Sequence, residues 1–159
     1  MLILIKLVIM VCLFTMLYQD IKERAVWWFL FPILAICAGY LHFKIRPEGM
    51  FLIESLFNIL VLVIILSISF LYVRFKMKVS FFKSAFGTGD LLYFLFLTVA
   101  FPTIAFIFIL VFSLIFSLVL HLFISKKGQT VPLAGYSALF LNFVYFSHWS
   151  GIFQTLYSI

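Results

Sequence analysis

Charge is scarce in this chain, and acid is the scarcest part of it. Of 159 residues 10% are charged, and the acidic ones are two aspartates, Asp20 and Asp90, with three glutamates. Cysteine is limited to Cys12 and Cys37, both inside apolar segments and without CxxC spacing, which argues against a disulfide framework and against a cysteine zinc cluster. The three histidines divide between the two predicted ends of the helices, His42 and His148 at one and His121 at the other. No metal site or cofactor is therefore expected. There is no phosphate loop, no Ser–His–Asp set and no base-reading or aromatic RNA-binding element. Nucleotide chemistry, serine hydrolysis and nucleic-acid partners accordingly find no residues to carry them. Tandem repeats and low-complexity linkers are also missing.

What fills the chain instead is apolar. Hydrophobic residues make up 67% of it, with 23 phenylalanines, and its mean hydropathy is +1.31. No soluble core needs that much apolar surface, and so many exposed rings would aggregate in water. The expected class is an all-α polytopic membrane protein, with residues 1–159 forming a single membrane-embedded unit. About 20 apolar residues cross a bilayer as a helix. The runs give about six candidate transmembrane helices: Leu2–Tyr18, Val26–Phe43, Phe51–Val73, Leu91–Phe101, Thr103–Ile124 and Val131–Trp149. Pro102 ends the fourth and forces a turn or kink before the fifth. The first run lacks a basic leader region and a small-residue cleavage signal, so it reads as a retained helix and not as a signal peptide.

Orientation follows from lysine and arginine. With the N-terminus outside, the inner connections hold Lys22 and Arg24, then Arg74, Lys76, Lys78 and Lys83, then Lys126 and Lys127. The outer side keeps Lys44 and Arg46, with Lys6 near the outer end of the first helix. Both termini then lie outside, and Asp20, Asp90 and the Lys126–Pro132 loop share the cytoplasmic face. The stretch Arg74–Gly89 alternates basic and apolar residues, as expected of a segment lying on anionic membrane lipids, and a plain positive-inside loop accounts for the charges equally well.

The two aspartates are the chemistry-bearing residues. A carboxylate at membrane depth costs roughly 2.5–3.5 kcal/mol, so it is rarely idle. Asp90 closes Gly87-Thr88-Gly89-Asp90 and begins a helix, where dipole and free N–H groups favour a negative charge. Asp20 ends one, where the dipole opposes it. On these grounds Asp90 is the expected base and Asp20 the expected acid. Two close carboxylates share one proton, and such a pair can hydrolyse an amide without a metal. Gly87 and Gly89 are expected to supply positive φ and close approach to an extended substrate. Elsewhere Glu54, Asn58 and Asn142 read as polar contacts between helices, and Trp27, Trp28 and Trp149 as interfacial belts.

Three stretches together resemble the bacterial type IV prepilin peptidases, a family of GxGD membrane aspartic proteases. The first is Asp20, with Lys22 two positions on and apolar Val26 beyond it. Gly87-Thr88-Gly89-Asp90 is the second, and Val131-Pro132-Leu133-Ala134-Gly135-Tyr136-Ser137-Ala138-Leu139 is similar to the family's stretch at the start of the last helix. The resemblance implies that Asp20 and Asp90 are the catalytic pair, and that Lys22, Gly87, Thr88, Gly89 and Pro132 lie close to the substrate. It implies removal of a basic leader from prepilin-like or pseudopilin-like proteins at the cytoplasmic face of the inner membrane. Trp27 stands where the family usually has Pro, Leu92 where it usually has Lys, and Ala134-Gly135 where it has Gly-Pro. The paired-CxxC segment of the larger, methylating members is not found, so the likeness is to the short peptidase-only form.

Three other readings use the same residues. An archaeal-type preflagellin peptidase shares both aspartates. A catalytically inactive leader-binding scaffold would keep the fold, as the changes at Trp27 and Leu92 allow. A small proton-coupled transporter would use the carboxylates as proton carriers, although both lie at one face and neither near the midplane, where transporters bind.

Overall fold

The four prolines mark where helices begin. Proline in a first turn sacrifices no helical hydrogen bond, because those N–H groups have no partner within the helix. In the computed structural model, which describes residues 1–77, 87–124, 131–152 and 156–157, Pro32 is in the first turn of α2 (Leu30–Ile45). Pro47 caps α3 (Glu48–Tyr72), and Pro102 precedes α5 (Thr103–Ile124). Pro132 caps α6 (Leu133–Trp149). Two helices begin without proline: α1 (Leu2–Glu23) after Met1, and α4 (Thr88–Ala100) after extended Gly87. The fold is all-α, with no strand among the described residues.

The boundaries differ from the sequence reading where polar residues extend a helix. α1 continues past Tyr18 to Glu23 before Arg24 turns left-handed at φ 53°, so Asp20 and Lys22 lie within its last turn. The Gln19 side chain then accepts the Trp27 N–H at 3.1 Å, which ties down the connection and delays α2 to Leu30. α3 runs on into a π-helical turn, Val73–Met77, where a membrane-surface segment was expected to start. Lys78, Lys83, Lys126 and Lys127 lie outside the described residues.

Successive helices run in alternating directions. α1 packs on α2 and α6, α4 on α2 and α3, and α5 on α6. α4 is well enclosed, burying Tyr93, Phe94, Phe96, Leu97, Thr98 and Ala100. Against it and one another pack Ile9, Leu13 and Met16 of α1, Leu34 and Ala38 of α2, and Leu141 and Tyr145 of α6. α3 does the opposite. Leu52, Leu56, Leu60 and Val63 point outward along its length, and only 17% of its apolar window is covered. Burying one such side chain is worth about 1.5–3 kcal/mol, so this outer surface calls for lipid.

Leu2–Glu23, Gly49–Phe75 and Thr103–Ile124 are long and apolar enough to cross a membrane. α2 and α4 are apolar but shorter. The chain is thus a helical membrane protein, with three spans by length and composition against the six expected from the apolar runs.

Polar residues inside the bundle join helix ends. Asn58 of α3 donates to the carbonyls of Thr98 and Phe101, both at 2.9 Å, and so answers acceptors that the end of α4 leaves unpaired. Asn142 departs from expectation: it donates to Ala138 on its own helix, at 3.2 Å, and not across to a neighbour.

Candidate active site

The first turn of a helix offers N–H groups with no partner in the helix and the positive end of its dipole. In α6, the Leu133 N–H bonds back to Val131 and the Tyr136 N–H to Pro132. The two amides between them turn to carboxylates on other helices. Ala134 N–H donates to Asp90 Oδ1 at 3.0 Å, and Gly135 N–H donates to Asp20 Oδ2 at 2.6 Å. Adjacent amides thereby draw together residues 70 positions apart in the sequence, and the charges of Asp20 and Asp90 act on each other.

The two carboxylates reach this point by different routes. Asp20 comes from the end of α1 and is buried. Arg24, beyond the helix end, acts on it through its charge. Asp90 comes from the first turn of α4, where its Oδ2 also accepts the N–H of Gly87 at 3.3 Å. The helix-dipole argument makes Asp90 the base and Asp20 the acid. It treats each carboxylate alone, whereas here both lie at the N-terminus of the same third helix and in each other's field. Carboxylates that act on each other titrate as a pair and not one by one.

The glycines of the GxGD stretch also work differently from expectation. Gly87 is extended, with φ −74° and ψ 145°, and Gly151 is the one glycine at positive φ among the described residues. Gly87 supplies space: a Cβ there would lie 3.1 Å from Asp90 Oδ2. A Cβ on Gly89 would only touch Phe31 at 3.9 Å, an ordinary contact. Thr88 opens α4 and is exposed. Pro132 caps α6, two residues before the first amide of the site. Lys22 turns along α1 to Tyr18, its Nζ 2.8 Å from the hydroxyl and 5.1 Å from the ring centre.

One helical turn further in, a polar layer supports the site. Buried Tyr93 donates to the Ser137 carbonyl at 3.0 Å, and the Ser117 and Ser137 hydroxyls lie 2.9 Å apart. These contacts tie α4 and α5 to α6 directly beneath the pair. Sequence reasoning missed this layer and the two amides. The signal was the helical spacing: Tyr93 is three residues after Asp90, and Ser137 three after Ala134.

Groups of three or more His, Cys, Asp or Glu able to hold a metal are not found among the described residues. Comparison with protein-family models, with curated proteins and with solved structures finds no match to this chain.

Proposed function

We propose that the chain is a membrane aspartic endopeptidase that removes the basic leader of prepilin-like proteins at the cytoplasmic face. The observation that carries the reading is the convergence of Asp20 and Asp90, the two aspartates of the chain, on adjacent amides of α6. Two carboxylates in one field share a proton, and that is the state amide hydrolysis needs. The ionised member takes a proton from water as the water oxygen bonds to the scissile carbonyl carbon. The carbonyl π pair moves onto its oxygen, where the protonated member donates a hydrogen bond and stabilises the developing charge. Collapse of the tetrahedral carbon breaks the C–N bond, the nitrogen takes up a proton, and leader and mature protein separate. The nitrogen's proton is the one drawn from water, so water alone is consumed and the pair is left singly protonated as it began.

The charge pattern supports the cytoplasmic assignment. Lys22, Arg24 and Arg74 lie toward the aspartate end of the bundle, whereas Lys6, Lys44 and Arg46 lie toward the other, and the positive-inside rule favours the aspartate end facing the cytoplasm.

The test is co-expression of wild type, Asp20→Ala and Asp90→Ala with tagged prepilin-like substrates, followed by gel shift and N-terminal sequencing. Cleavage by wild type alone, with a bell-shaped pH–rate profile, is expected. Leader removal by either single variant would overturn the two-carboxylate mechanism.

A further inference from the structure

Gly135 stands where a side chain has no room. A Cβ built there lies 2.8 Å from Asp20 Cβ and 3.0 Å from its Oδ2. The first of these atoms is attached directly to the α1 backbone, so it cannot swing aside as the tip of a long side chain would. The need is for space and not for an unusual backbone, because Gly135 is not among the positive-φ residues. Its N–H makes the shortest hydrogen bond in the site, 2.6 Å to Asp20. The neighbouring Ala134 carries a methyl group while its N–H serves Asp90 at 3.0 Å.

Resting on the peptidase reading, we infer that Gly135 is a positioning residue, whose missing side chain lets consecutive amides of α6 seat both carboxylates at once and so sets the spacing of the reacting pair. A methyl group at this position pushes α6 away from α1. The Asp20 bond is lost or lengthened, the Ala134 amide moves with its helix, and the two carboxylates no longer share one seat. Misplacement of a reacting group by about 1 Å costs about 100-fold in rate.

The experiment uses the full chain in detergent or bilayer, labelled with [4-13C]aspartate. Because the chain has two aspartates, the carboxyl signals report on Asp20 and Asp90 alone. Gly135→Ala is expected to lower kcat about 100-fold with KM nearly unchanged, to move the limbs of the pH–rate profile, and to change the titration of the Asp20 carboxyl signal. Gly39→Ala is the control, since its Cβ would sit 3.7 Å from the Val99 carbonyl, in ordinary contact. It should match wild type throughout.

Should Gly135→Ala fail to fold, Ala134→Pro removes the other donor at a first-turn position that tolerates proline, and it is expected to move the Asp90 signal. Wild-type cleavage and wild-type titration in Gly135→Ala would overturn the proposal. So would lost cleavage with unchanged titration, because a merely structural glycine behaves that way. If wild type cleaves nothing while Gly135→Ala still alters the titration, the seat stands and the peptidase reading fails.

Discussion

The two ends of the bundle handle acid in opposite ways. At one end, Glu54 is answered by side chains: His42 Nε2 at 2.9 Å and Arg46 Nε at 3.6 Å. The other ring nitrogen of His42 lies 3.1 Å from the Val99 carbonyl, so α2, α3 and α4 are joined through one imidazole. At the other end, Asp20 and Asp90 receive their hydrogen bonds from backbone N–H groups. An acid held between the side chains of neighbouring helices is fixed in place and serves as a fastener. Backbone amides stabilise and orient a carboxylate without giving up a proton, so a pair held by them can still exchange one. The same functional group, a carboxyl, is fastened at one end and free to exchange a proton at the other, because of what faces it.

Substitutions that separate activity from stability sharpen this contrast. The largest effect is expected for Asp20→Asn and Asp90→Asn, each lowering cleavage by about 10³-fold or more with little loss of resistance to denaturation. If either variant unfolds much more readily than wild type, the aspartates are fasteners too and the contrast fails. Glu54→Leu should do the reverse. It leaves buried His42 without its carboxylate and is expected to cost about 2 kcal/mol of stability, measured by denaturant unfolding, while kcat stays at the wild-type value. Asn58→Leu, which removes two bonds to the end of α4, should cost about 1 kcal/mol and likewise spare cleavage. The smallest change is expected for Lys22→Met, within about 0.5 kcal/mol, since Lys22 bonds to Tyr18 on its own helix. A several-fold rise in KM in that variant would instead place Lys22 against the substrate.

Much of the helical frame was legible because its determinants are local. Apolar runs and Pro102 placed α5 at the residues where it is found. Ends set by long-range bonds were harder to read: nothing near Trp27 reveals that Gln19 will hold its N–H, and nothing near Tyr18 requires the helix to reach Glu23. At the site, scarcity of acid pointed to Asp20 and Asp90. The amides that seat them were invisible for the opposite reason, since every residue but proline has one. Only Gly135, a glycine in the first turn of a helix, marked the place where two helices must come close.

The seat is assembled from α1, α4 and α6, and this has a consequence for synthesis. A ribosome makes Asp20 first and Asp90 well after it, and the amides that align them come later still. Until α6 packs against α1 and α4, a partly made chain carries both acids without the amides that seat them. In the peptidase reading, hydrolytic power arrives with the last described helix, so a growing chain cannot attack its neighbours at the site of insertion.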